Sequence, residues 1–161
     1  EPATVLLGDV VTRSVGTLRS LLRERRVTVE RDAESSAVPV LGDASALERV
    51  VINLIINAAQ AMESQTTGRI IRIRVSGDGD TATLSVEDSG PGFPPGAVEH
   101  VFERFFTTKP AGKGTGLGLW MVSDIVARHG GTISATDTGH GARFSVMLPV
   151  IGYSEDAEAA A

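Results

Sequence analysis

The 161-residue chain contains no cysteine, so neither a disulfide nor a thiolate metal site is available to stabilise its fold. Aromatic residues make up only 4% of the sequence and the formal net charge is −5. A basic surface and a platform for base stacking are both missing, and nucleic acid is therefore excluded as a partner. No apolar run approaches the ~18 residues of a membrane-spanning helix, so we expect no direct membrane contact and a cytoplasmic location.

Lysine is scarce as well: Lys109 and Lys113 are the only two, and both lie in or beside the glycine-rich stretch 112–119. Alternate glycines there expose backbone N–H groups, and the apolar run that follows is typical of a helix whose N-terminus attracts anions. The spacing fits neither the G-x-G-x-x-G nor the P-loop pattern. A flexible linker is the alternative, but linkers are seldom followed at once by an apolar helix. We predict a site for a polyanionic ligand.

Neither a repeat nor a Pro/Gly/Ser-rich linker divides the chain, and its hydrophobic content of 42% suffices for one core of ordinary size. Periodicity and turn residues predict these elements in order: helix 10–22, strand 27–30, extended piece 37–41, buried helix 43–62, hairpin strands 70–76 and 82–87, helix 118–129, and strands 132–136 and 142–149. We expect an α+β fold, a two-layer α/β sandwich with a mixed sheet covered on one face by helices. The irregular stretch 88–118 is typical of functional loops.

Two asparagines, Asn53 and Asn57, lie four residues apart on the predicted buried helix, so their amides leave the same helical face. Core asparagines bonded to nearby backbone are one interpretation, since an unpaired polar group is costly in a core. Amide oxygens can also complete the shell of a Mg²⁺ whose other ligands are phosphate oxygens and water. We favour Asn57 as the ligand and Asn53 as its helper.

The segment Asp88-Ser89-Gly90-Pro91-Gly92-Phe93 directly follows a predicted strand. It can be a simple turn. Alternatively, the Asp88 carboxylate can accept a hydrogen bond from the exocyclic amine of adenine, while Gly90 and Gly92 let a ring approach the backbone. Three of the five phenylalanines fall within 102–106, where core packing is the simple interpretation and an anchor for a lid is the other.

Four stretches resemble, in order, the N, G1, F and G2 boxes of the histidine kinase catalytic domain, within the ATPase group of gyrase, Hsp90 and MutL. They are Asn53-Leu54-x-x-Asn57-Ala58, Asp88-x-Gly90-x-Gly92, Phe105-Phe106-Thr107-Thr108-Lys109 and Gly114-Thr115-Gly116-Leu117-Gly118-Leu119. Asn57-Ala58-x-Gln60-Ala61-Met62 and the short lid are most similar to the nitrogen-regulation type of sensor kinase. The resemblance implies a Bergerat ATP-binding fold with a mobile ATP lid over 1–153, followed by a disordered tail or linker at 154–161.

The resemblance also implies a role for each box. Asp88 would hold the adenine amine, and Asn57 would bind Mg²⁺ with support from Asn53. Lys109 would close over the β and γ phosphates, so that Asn53 and Lys109 are the candidate catalytic residues. The full candidate nucleotide site is Asn53, Asn57, Asp88, Gly90, Gly92, Phe105, Thr107, Thr108, Lys109, Lys113, Gly114, Thr115, Gly116, Leu117 and Gly118.

The implied activity is transfer of the γ-phosphoryl group of ATP to a histidine. None of His100, His129 and His140 lies in the context of such a phosphoacceptor, and too little chain precedes the N box for the hairpin that carries one. We therefore expect a monomeric catalytic domain that binds ATP or ADP with Mg²⁺. Its further partners would be the phosphoacceptor domain of the same kinase, soluble or membrane-anchored, and the receiver domain of a response regulator.

Two other functions come from the same ATPase group. An ATP-driven conformational clamp carries a glutamate four residues before the metal-binding asparagine, where this chain has Asn53. An amide cannot take a proton from water at neutral pH, so efficient hydrolysis is disfavoured. A degenerate module that only senses nucleotide is the other alternative, and the intact boxes argue against it.

Overall fold

The computed structural model describes residues 2–32, 37–107 and 116–151. Within these ranges the elements are β1 (Ala3–Leu6), α1 (Leu7–Thr17), α2 (Arg19–Glu24), β2 (Thr28–Arg31), β3 (Pro39–Gly42), α3 (Ala44–Ala61), β4 (Ile70–Asp78), β5 (Thr81–Asp88), α4 (Gly118–Arg128), β6 (Thr132–Asp137) and β7 (Ala142–Pro149). The predicted tail at 154–161 lies outside the described residues. No helix in the described ranges has both the length and the apolar character needed to cross a membrane.

Five strands form the main sheet in the order β2-β4-β5-β7-β6. β2 is parallel to β4 and the other neighbours are antiparallel, so the sheet is mixed, as expected. α1 packs against β4, α3 against β5 and α4 against β6. The strand residues facing these helices are apolar and buried, whereas the other face carries polar side chains such as Arg72, Glu87 and Arg143, which lie opposite one another in the ladder. The predicted two-layer α+β sandwich is confirmed.

Helix α3 starts where the sequence predicts. Asp43 Oδ1 accepts hydrogen bonds from the backbone N–H groups of Ser45 at 2.9 Å and Ala46 at 3.2 Å, which satisfies two donors that the first turn leaves unpaired. The buried residues of this helix are Leu47, Val50, Val51, Leu54, Ile55, Ala58 and Ala59. Ile52 and Ile56 are only partly buried but still pack against the core, so the helix is nearly apolar all round, as predicted.

The N-terminal part departs from the prediction. The single helix expected over 10–22 is divided, because Leu18 has φ −95° and ψ 6° and separates α1 from α2. Gly16 and Thr17, directly before it, are weak helix formers. The sequence analysis also missed β1, which is too short to show a pattern. β1 pairs with β3 in a separate two-stranded sheet, so the extended piece at 37–41 does not join the main sheet.

Candidate ATP-binding site

Asp88 is the last residue of β5 and is only 4% exposed. Its Oδ1 accepts hydrogen bonds from the backbone N–H groups of Gly90 at 2.8 Å and Ala142 at 3.3 Å. No described residue donates a hydrogen bond to Oδ2. Burial raises the pKa of Asp88 above its ordinary value, and the two N–H groups act in the opposite direction. One oxygen of a buried carboxylate is therefore available to a donor on a ligand.

The two asparagines of α3 are half-buried. Asn53 Nδ2 donates to the carbonyl oxygen of Arg49 at 2.8 Å, which leaves its Oδ1 facing the start of α4. A side-chain carbon built on Gly118, the first residue of α4, would lie 3.6 Å from that oxygen. The Asn57 amide has no hydrogen bond to any residue of the described ranges. Both side chains thus keep acceptor oxygens that a ligand can use.

The Asp88 loop packs on the end of the asparagine helix. A side-chain carbon built on Gly90 would lie 3.3 Å from the carbonyl oxygen of Ala61 and 3.4 Å from Cγ of Met62. Ser89 Oγ accepts from the N–H of Ile70 at 3.0 Å, which ties the loop to the start of β4 as well. The Asp88 loop therefore contacts the C-terminal end of the helix that carries Asn53 and Asn57.

Two residues flanking the predicted lid are in direct contact. Phe105 donates its N–H to the carbonyl oxygen of Gly116 at 2.8 Å. Gly116 has φ +71°, and a side-chain carbon on it would lie 2.2 Å from the carbonyl carbon of Phe105, so only glycine fits there. The Arg104 guanidinium lies 5.2 Å from the Phe105 ring centre and 4.8 Å from that of Trp120. Phe105 and Gly116, which flank the predicted lid in sequence, are therefore held side by side.

Core packing, the simpler interpretation of the phenylalanines, holds for some of these rings but not for Phe105. Phe102 is partly buried and meets the fully buried Phe144 edge to face at 5.9 Å between ring centres. Phe93, next to the glycines of the Asp88 loop, meets Phe144 in the same way at 5.8 Å. Phe106 is also partly buried, whereas Phe105 is 64% exposed. Phe102 and Phe106 thus pack against the core, whereas Phe105 is exposed next to the predicted lid.

The structure brings only part of the predicted site together. The candidate residues outside the described ranges are Thr108, Lys109, Lys113, Gly114 and Thr115. Thr107 is the last residue of the range 37–107, and Gly116 and Leu117 are the first two residues of the range 116–151. A cavity of about 560 Å³ opens at the other end of α3, beside Asp43 and His129, and contains none of the candidate residues.

Sequence reasoning missed the contribution of Asp137, the last residue of β6. Its carboxylate accepts a hydrogen bond from the N–H of Phe93, close to the point where Ala142 donates its N–H to Asp88. The pattern Asp137-Thr138-Gly139 signals a turn. It does not reveal which distant loop the Asp137 carboxylate reaches, so no sequence signal could have assigned this contact.

Comparison with known proteins identifies the family to which this chain belongs. The family model described as "Histidine kinase-, DNA gyrase B-, and HSP90-like ATPase" matches residues 42–151. The two-component sensor PprA of Pseudomonas aeruginosa is 38% identical over 146 residues, which are 88% of this chain and 16% of PprA. The sensory histidine kinase/phosphatase NtrB of Rhizobium meliloti is 34% identical over 138 residues, 78% of this chain and 36% of NtrB. The chain thus spans about a sixth to a third of these curated relatives.

Among solved structures, the mycobacterial sensor histidine kinase MprB aligns with a TM-score of 0.77 and 32% identity, covering 93% of this chain and 98% of that chain. The chain belongs to the histidine kinase, DNA gyrase B and HSP90-like ATPase family, and within it is a histidine kinase ATP-binding catalytic domain. The expected family and fold are therefore confirmed, and the match to NtrB agrees with the nitrogen-regulation resemblance.

Proposed function

We propose that this domain binds ATP with Mg²⁺ and transfers the γ-phosphoryl group to a histidine of a separate dimerisation and phosphoacceptor domain. The observation that carries the proposal is the buried Asp88 carboxylate, whose Oδ2 receives no hydrogen bond from the described residues. The exocyclic amine of adenine is a hydrogen-bond donor that could pair with this oxygen. An adenine bound there would lie beside Gly90 and Gly92.

The phosphates of the nucleotide would lie at the start of α4. The N–H groups of the first helical turn, at Gly118 and the residues after it, have no partner within the helix and carry the positive end of its dipole. Gly116 and Leu117 precede this turn, and Phe105 and Thr107 flank the other end of the predicted lid. The proposed phosphate-binding set is completed by Thr108, Lys109, Lys113, Gly114 and Thr115.

The α3 asparagines fit a magnesium ion carried in by the nucleotide. Asn57 is half-buried and its amide oxygen is not engaged by any described residue, while Asn53 Oδ1 faces the start of α4. Neutral amide oxygens are ligands that Mg²⁺ accepts alongside phosphate oxygens and water. The bound ion would neutralise charge that develops on the phosphates during transfer.

In the proposed reaction, a histidine ring nitrogen bonds to the γ-phosphorus while the bond between that phosphorus and the β,γ-bridging oxygen breaks. ADP leaves and the ring proton passes to solvent. The domain contributes position and charge, which is how phosphoryl transfer is generally accelerated. Asn53 stands where water-activating relatives have a glutamate, so the acceptor histidine would be favoured over water. The phosphoryl group would then pass to a receiver domain. The catalytic domain would act in the cytoplasm and would be a monomer on its own.

Calorimetric titration with ADP and a non-hydrolysable ATP analogue, with and without Mg²⁺, tests the proposal. We expect Mg²⁺ to strengthen nucleotide binding by the wild-type domain. In Asn57→Ala, we expect nucleotide affinity to be the same with and without Mg²⁺. An unchanged Mg²⁺ effect in that variant would contradict the metal role of Asn57. A folded wild-type domain that binds neither nucleotide would refute the proposed function. Phosphotransfer is then measured with radiolabelled ATP and the parent kinase's phosphoacceptor hairpin added as a separate polypeptide.

A further inference from the structure

The turn that joins β6 to β7, residues 138–141, lies directly against the Asp88 loop. Ala142, the first residue after the turn, donates its N–H to Asp88 Oδ1 at 3.3 Å. Gly141 packs on the Asp88 backbone so closely that a side-chain carbon on it would lie 1.9 Å from the Asp88 carbonyl oxygen. The turn therefore contacts the strand end that carries the carboxylate proposed to bind adenine.

Asp137 extends this contact to the other end of the same loop. Its Oδ2 accepts a hydrogen bond from the N–H of Phe93 at 3.2 Å, and its Oδ1 accepts one from the N–H of Gly139 at 2.9 Å. These bonds, Gly139 first and Phe93 second, lower the pKa of Asp137 below its ordinary value, so the side chain is a carboxylate at neutral pH. A single side chain thus joins the β6–β7 turn to the Asp88 loop.

The carboxylate also fills the space beside Gly92. This glycine has φ +79°, and a side-chain carbon on it would lie 2.4 Å from Asp137 Oδ2. Any other residue would have to displace the carboxylate and adopt a strained backbone. In this structure, contact with Asp137 is therefore a reason for glycine at position 92 in addition to room for a ligand ring.

The simplest alternative is an aspartate that only stabilises its own turn. An Asx turn accounts for the bond from Gly139, two residues on, because it is local. It does not account for the bond from Phe93, which is 44 residues away in sequence. The second bond joins the end of β6 to Phe93, a loop residue that lies outside the strands of the sheet.

We propose that Asp137, which lies outside the four boxes, is a positioning residue of the nucleotide site. Its carboxylate fixes the Gly92–Phe93 peptide while Ala142 fixes Asp88, so that loop 88–93 is held at both ends before nucleotide binds. A preformed loop does not have to be ordered at the expense of binding energy. The proposal rests on the proposed function and adds a residue to the same site.

The test compares Asp137→Ala and Asp137→Asn with a control, Thr136→Ala, whose exposed side chain lies on the polar face of the sheet and has no hydrogen bond among the described residues. We expect Asp137→Ala to bind ADP about tenfold more weakly than the control, the size of one hydrogen bond to a charged group. Asp137→Asn keeps one acceptor oxygen where the wild type uses two, so it should recover part of the affinity.

A second measurement needs no nucleotide. Amide hydrogen exchange at Phe93 should be faster in nucleotide-free Asp137→Ala than in Thr136→Ala, while exchange in the core strands stays the same. A positioning role predicts this local change together with partial rescue by asparagine, whereas a purely structural role predicts a lower melting temperature and faster exchange throughout.

The results separate the two proposals. Wild-type protein that is folded but does not bind ADP refutes the proposed function itself. If the wild type binds ADP and Asp137→Ala binds it equally tightly, only the positioning role of Asp137 is refuted. Equal Phe93 exchange in Asp137→Ala and Thr136→Ala also overturns it, as does a loss of affinity that merely follows a loss of global stability.

Discussion

Replacing Asp88 with asparagine tests the adenine contact, because the wild-type hydrogen bonds determine which way the new amide must face. Oδ1 already accepts from two N–H groups, so the asparagine oxygen must take that position and the NH₂ group must take the position of Oδ2. The NH₂ would then meet the adenine amine donor to donor. Loss of one hydrogen bond to a charged acceptor costs about 1.5–3 kcal/mol, which corresponds to a Kd raised about 10- to 150-fold.

The same substitution should not weaken the fold. Because the folded-state pKa of Asp88 lies above the ordinary value of 3.8, its contribution to stability is greatest below pH 3.8 and is lost as the pH rises through the folded-state pKa. At neutral pH the buried carboxylate is therefore a net cost that an amide avoids. We expect nucleotide-free Asp88→Asn to melt no lower than wild type at pH 7, with any advantage disappearing at acid pH.

Calorimetry with ADP and thermal melting monitored by circular dichroism supply the two measurements. Asp78→Asn is the matched control, since it removes the same charge from an exposed position at the opposite end of the β4–β5 hairpin. The reasoning is refuted if a folded Asp88→Asn protein binds ADP as tightly as Asp78→Asn does. A marked drop in melting temperature would instead refute the claim that the buried charge is a cost.

Two further predictions concern local features. Asp43→Ala removes the side-chain cap of α3 and should lower the free energy of unfolding by about 1 kcal/mol in a denaturant titration. ADP affinity should be unchanged. If stability is also unchanged, the two cap hydrogen bonds contribute nothing to it. The hydrogen bond to Glu103 at 2.8 Å raises the pKa of His100 above 6.5, so its stabilising contribution is complete below pH 6.5 and lost as the pH rises through the raised value. Titration of the His100 ring by NMR should show the raised pKa, and Glu103→Gln should remove most of the shift, because Glu103 supplies its two largest causes.

Local patterns account for what the sequence predicted correctly. Alternation in the hairpin, helical periodicity with an Asp43 cap in α3, and the order of the four boxes are each properties of a few neighbouring residues. These patterns suffice to predict the mixed sheet, the helices that cover one face of it, and the protein family. Where such a pattern was short or weak, as in β1 or at Leu18, the prediction missed a strand or a break in a helix.

The sequence by itself determined which chemical groups this protein offers at the proposed nucleotide site: a carboxylate after a strand, two helical amides and a glycine-rich stretch before a helix. The tertiary structure alone decided how those groups are held. The bond from Phe93 to Asp137, the bond from Ala142 to Asp88 and the packing of Phe93 and Phe102 on Phe144 join segments tens of residues apart. Such contacts depend on the register of β5, β7 and β6, which is fixed only when the whole sheet assembles on its buried face.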